Sequence, residues 1–167
     1  MKTSLIIISV LLVLCVFLPF IIFIYNGTKN TSSIKKQAKL LIQNNGITYA
    51  HKEIWRKNFI GISNDNKIIT YIKFNSDKSN IIDNINSNDI KQCNIIKNYN
   101  NGANKVPYLK SLGLEFIYKS STSPNLIITF FNVDDDLSED FELQRIEKWQ
   151  ALIKNIISEP QITKMAS

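Results

Sequence analysis

Residues 111–156 read SLGLEFIYKSSTSPNLIITFFNVDDDLSEDFELQRIEKWQALIKNI, and this stretch decides the fold class. Ser111–Lys119 alternates, with Leu112, Leu114, Phe116 and Tyr118 on one face, as a half-buried strand requires. Ser120–Pro124 supplies turn residues, and Leu126–Val133 is a second, strongly apolar strand. The period then changes. Ile146, Trp149, Ile153 and Ile156 are spaced three, four and three apart, the apolar stripe of a helix expected from 137 to 157. Two strands followed directly by one helix point to an antiparallel α+β domain, because a parallel sheet needs a helix between strands.

Working towards the N-terminus, the same strand chemistry recurs. Ile90–Tyr99 reads as a strand. Phe59–Ser63 and Ile68–Phe74 flank Asn64-Asp65-Asn66-Lys67, a hairpin signal without a glycine to set the turn type. Residues 75–89 read as a polar connection interrupted by Ile81-Ile82. The segment 100–105 reads as a loop. The domain thus covers residues 47–157, and 158–167 reads as a flexible tail.

Upstream lies SLIIISVLLVLCVFLPFIIFIY at 4–25, uncharged and apolar apart from Ser4, Ser9 and Pro19. As a helix it is roughly 33 Å long, so it is expected to be a transmembrane span rather than a shorter, cleavable signal peptide. Residues 26–46 follow as a polar, basic linker and a short amphipathic helix over 33–45. In that helix Ile34, Ala38, Leu41 and Ile42 share a face, and Asn44-Asn45-Gly46 forms the stop. Lys29, Lys35, Lys36 and Lys39 behind the span outnumber Lys2 before it. The positive-inside rule therefore expects a single-pass inner-membrane protein with its domain in the cytoplasm.

The 167 residues carry a net charge of +6, and only two are cysteines, Cys15 and Cys93. A chain of this size holds one modest core, which excludes a multidomain enzyme. Two cysteines so placed make no disulfide framework. The basic excess is concentrated in residues 26–58 rather than on one folded face with interleaved aromatics, so no nucleic-acid partner is expected. Lys35, Lys36 and Lys39 are the candidate contacts for an anionic membrane surface. Asp134, Asp135 and Asp136 open a run of six acids in nine residues and are the candidate partner surface. That run lacks the glycine and closing glutamate of an EF-hand, and helix-end carboxylates are its simplest account.

No constellation points to catalysis, a cofactor or a metal. His51 is the single histidine and lacks a nucleophile motif, Cys93 sits alone in a strand, and no phosphate-cradling glycine loop occurs. Protein or lipid binding is the expected role.

The strand Asp89-Ile90-Lys91-Gln92-Cys93, the pair Leu112–Tyr118 and Leu126–Phe131, and EDFELQRIEKWQALIKNI at 139–156 together resemble pleckstrin-homology-like domains. Small bacterial proteins that join one N-terminal span to such a domain share the E-L-x-x-x-E-K-W ending found from Glu142 to Trp149. The resemblance implies an antiparallel sheet or partly open barrel closed by the C-terminal helix, and a scaffold without enzymatic activity. Lipid-binding members use a basic loop between the first strands; here the Asn64–Lys67 turn carries one lysine. The expected function is a membrane-tethered adaptor offering a strand edge or groove to a protein partner. The alternative is a lipid-sensing module acting through the juxtamembrane lysines.

Overall fold

The computed structural model describes residues 2–75, 79–101, 106–136 and 138–158, with backbone alone for 2–6, 8–9 and 23–32. Among the described residues the chain forms helix α1 (Lys2–Asn44) and seven strands. These are β1 (Tyr49–Trp55), β2 (Asn58–Ser63), β3 (Ile68–Lys73), β4 (Ile81–Asn86), β5 (Ile90–Asn101), β6 (Pro107–Tyr118) and β7 (Leu126–Asn132). Helix α2 (Glu142–Ser158) closes the order, and a single 3-10 turn at Ser87–Asp89 joins β4 to β5. Two compact units result: residues 1–47 with 54–57, and residues 48–53 with 58–167.

In the first unit α1 runs unbroken from Lys2 to Asn44, where a polar linker over 26–33 and a separate helix over 33–45 were expected. Residues 26–33 include no proline, and Gly27 costs only about 1 kcal/mol, so a formed helix propagates through them. The stop falls where expected. Asn45 N–H reaches the Leu41 carbonyl at 3.1 Å, and Gly46 takes a φ of +69°. Ala38 and Trp55 are buried here.

The membrane expectation is corrected. Among the described residues no helix is long and apolar enough to cross a membrane. The single-pass span at 4–25 is therefore not supported, nor are the inner-membrane location and cytoplasmic orientation inferred from its flanking lysines.

The second unit holds two antiparallel sheets, β1-β2-β3-β4 and β5-β6-β7, and the expected partly open barrel is corrected to this pair. Among the described residues no ladder joins the sheets into a barrel. The 3-10 turn redirects the chain between β4 and β5, with Asn88 N–H capped by Asn86 Oδ1. At the β2–β3 turn Asn66, at φ 57°, occupies the left-handed position that a glycine would otherwise fill. Asp65 Oδ1 holds the Lys67 N–H at 3.2 Å.

Register places Ile60, Ile62, Ile69 and Tyr71 on one face of the first sheet. That face meets the second sheet, since the Tyr71 hydroxyl lies 2.9 Å from the Thr129 carbonyl of β7. Leu112, Leu114, Phe116, Ile128 and Phe130 are buried on the other side. Helix α2 packs chiefly on β5, then on β6, with Ile146, Trp149, Ile153 and Ile156 all buried as their spacing requires. It begins at Glu142, five residues later than expected. Of the flexible tail expected at 158–167, Ser158 ends α2 and the rest lies outside the described residues, as does part of the loop expected at 100–105.

Candidate functional site

β4 forms one edge of the first sheet. It is paired along its whole length with β3, from Ile68↔Asn86 to Lys73↔Ile81, and no strand lies on its other side among the described residues. Edge strands expose unpaired amides and carbonyls, and proteins usually blunt them with lysine, proline or a bulge. The sequence Ile-Ile-Asp-Asn-Ile-Asn of β4 has no lysine, proline or bulge, and its charge is the half-buried Asp83. Ile81 and Ile82 are 51% and 49% exposed, whereas Ile85 is 2% exposed and anchors the strand. Asp83 is its one charged residue.

A transverse set of side chains braces this edge. The Tyr49 hydroxyl donates to Thr70 Oγ1 at 3.0 Å, and Thr70 donates in turn to Asn84 Oδ1 at 2.8 Å. Tyr49 belongs to β1, so its ring must cross β2 to reach β3. It does so over Gly61, where an added Cβ would lie 2.6 Å from Tyr49 Cδ1. The Phe59 ring meets Tyr49 edge-on at 5.4 Å. Thus β4 is held by side chains from two other strands as well as by its backbone ladder.

Carboxylates act on two tyrosines near β4. Asp83 stands opposite Tyr71 in register. Burial pushes the Tyr71 hydroxyl well above the usual phenol range, and the negative charges of Asp83, Asp135 and Asp136 push it further. Tyr118 is raised by burial first, then by Asp83 and Asp89. At one end of the strand pair Lys73 is 2.8 Å from Asp135. Its charge is met there.

Asp134, Asp135 and Asp136 form the turn that leaves β7. Their amides fold onto Asn132: Asp134 N–H donates to its Oδ1 at 3.1 Å, and those of Asp135 and Asp136 donate to its carbonyl. They do not cap α2. Phe141, at φ 60°, turns the chain just before the helix, and Glu139 Oε1 accepts the Leu143 N–H at 2.9 Å. Asp135 is therefore brought to Lys73 beside β4, a link that spacing alone gives no sign of. Lys35, Lys36 and Lys39 lie in the other unit, exposed along α1.

Sequence reasoning also missed Glu53 of β1. Its Oε1 accepts from Arg145 Nε at 2.8 Å, and its Oε2 accepts from Trp149 Nε1 at 2.8 Å, with Lys148 Nζ at 3.4 Å. Burial works to raise its pKa. The hydrogen bonds from Arg145 and Trp149, with the charges of Lys148 and Arg145, outweigh that and hold the carboxyl below its ordinary value. Arg145 also approaches the buried Glu142 at 3.8 Å. One signal was available: a buried indole N–H needs an acceptor, and Arg145 and Trp149 at i,i+4 share a helix face. This cluster ties the first strand to the last helix.

His51 is exposed in β1. Cys93 is buried and its thiol is pushed up to about 12 by burial, so almost none is thiolate at neutral pH. Among the described residues no group of three or more His, Cys, Asp or Glu side chains is arranged to hold a metal ion. No protein-family model, curated protein or solved structure matches the chain.

Proposed function

We propose that the chain is a non-enzymatic adaptor whose second unit, a pleckstrin-homology-like domain, docks an extended segment of a protein partner along β4. The observation that carries this reading is the edge strand with Ile81 and Ile82 exposed, braced through Tyr49, Thr70 and Asn84. Strand addition supplies main-chain hydrogen bonds for affinity, and alternate side chains give selectivity. The family resemblance is supported by the four-plus-three order of strands and the helix that follows them. A photo-crosslinking side chain placed at Ile82 in cells should trap a partner. The same group at Lys154, exposed on α2, should not. Equal trapping from both positions would remove β4 as the docking site.

A second reading is favoured by the exposure of Lys35, Lys36 and Lys39 within about 100° of the α1 surface, beside the buried Ala38. On that reading the chain binds anionic headgroups peripherally through those lysines.

A further inference from the structure

We infer that the segment docking on β4 carries a basic residue opposite Asp83, with an apolar residue two positions to either side. The inference rests on the strand-addition reading above and adds the chemistry of the partner. In a continued sheet, opposed residues share a face. Asp83 shares its face with Ile81 and Ile85, so the facing strand presents three side chains to an apolar, acidic, apolar row. Asp83 is half-buried at the edge, opposite Tyr71 in register, and it acts with Asp89 on Tyr118. The nearby cation on β3, Lys73, is occupied by Asp135 at 2.8 Å. A lysine or arginine from outside completes the row, whereas an acid there meets like charge.

The geometry disfavours a second copy of the same strand. Fully overlapped antiparallel self-pairing sets Ile81 against Asn86, which lie on opposite faces, and a one-residue shift is needed to match faces. That shift centres the pair on Asp83, opposing two carboxylates, or on Asn84, setting Asp83 against the buried Ile85.

The test uses the full chain and three acetylated, amidated heptapeptides, Thr-Val-Thr-X-Thr-Val-Thr with X as Lys, Gln or Glu. Fluorescence anisotropy gives affinity and hydrogen exchange locates the contact. The Lys peptide should bind about five-fold tighter than the Gln peptide and more than that over the Glu peptide, with slowed exchange at residues 81–86. Added salt should shrink the preference. Asp83→Asn should abolish it, and Asp83→Lys should invert it. Equal affinity for all three peptides, with protection at 81–86, overturns the basic-partner inference and leaves the edge reading standing. No protection from any peptide overturns both. Protection that grows with protein concentration in the absence of peptide assigns the edge to a second copy and overturns the inference.

Discussion

Trp149 of α2 donates its indole N–H to the carboxylate of Glu53 in β1 across 2.8 Å, joining residues 96 positions apart. The indole is 1% exposed, so its hydrogen bond and its packing are lost together when the side chain is removed. Trp149→Ala should cost about 3–5 kcal/mol, the range for deleting a buried large aromatic. Lys148, one residue away and 64% exposed on its side chain, should cost under about 0.5 kcal/mol when changed to Ala. Urea melts of the full chain compare the two midpoints. Equal shifts would mean that the helix stripe does not carry the core.

The same carboxylate sets a pH limit. Glu53 has a folded pKa below its ordinary value of 4.5, so its contribution is present above that value. It is lost as pH falls through the lower, folded pKa, because the unfolded chain then binds the proton more readily. Glu53→Gln should flatten the acid limb of a stability profile below about pH 4.5, leaving its neutral-pH slope unchanged. An acid limb identical to the parent's would assign that loss of stability to other carboxylates.

Gly61 is the point at which Tyr49 crosses β2. A methyl group there would come within 2.6 Å of Tyr49 Cδ1 and 2.9 Å of Phe59 Cζ, two rings already packed edge to face. Gly61→Ala should destabilise by about 1–3 kcal/mol through overpacking. Tyr49→Phe, which keeps the ring and drops the bond to Thr70, should cost about 1 kcal/mol. Thermal unfolding would order the two, and an unchanged midpoint for Gly61→Ala would show that the ring moves aside freely.

Cys15 is exposed and Cys93 is buried, with its thiol pushed up to about 12. In the folded chain an aromatic disulfide reagent at pH 8 should modify one thiol quickly and the other only on denaturation. Roughly one Cys93 in ten thousand is thiolate at that pH. Cys15→Ser should remove the fast phase altogether. A fast phase persisting in that variant would show that β5 opens readily beneath α2.

Lys35, Lys36 and Lys39 offer a separate check. If they meet anionic headgroups, the full chain should bind phosphatidylserine vesicles in a salt-sensitive manner, and changing all three to Gln should weaken binding sharply. Indifference to the triple change in a flotation assay would remove the lipid reading.

The strongly patterned elements were legible from sequence. The alternation in β6, the apolar run of β7 and the three-four-three stripe of α2 each have a period that only one structure satisfies. β1 and β4 were not. Tyr-Ala-His-Lys-Glu-Ile-Trp and Ile-Ile-Asp-Asn-Ile-Asn lie at sheet edges, where exposure on both sides erases the alternation that marks a strand. The candidate docking edge was illegible for that reason. The start of α2 falls later than expected because acids between 134 and 142 look like a helix end, while the chain turns at Phe141 and Glu139 accepts the Leu143 N–H. At the N-terminus composition suggested a span and a break at 26–33, and the structure gives one continuous helix with no membrane-crossing segment among its described residues.

The clasp between Glu53 and α2 also has a consequence for biosynthesis. Ribosomes add about 5–20 residues per second, so β1 emerges roughly 5–20 s before the indole that holds it. Throughout that interval Glu53 faces water, and the newborn sheet lacks the helix that covers its neighbour. β1 is thus secured by a helix translated well after it. A pause or truncation anywhere in α2 would leave the nascent domain open to chaperones and proteases, even though β1 to β7 had already been synthesised.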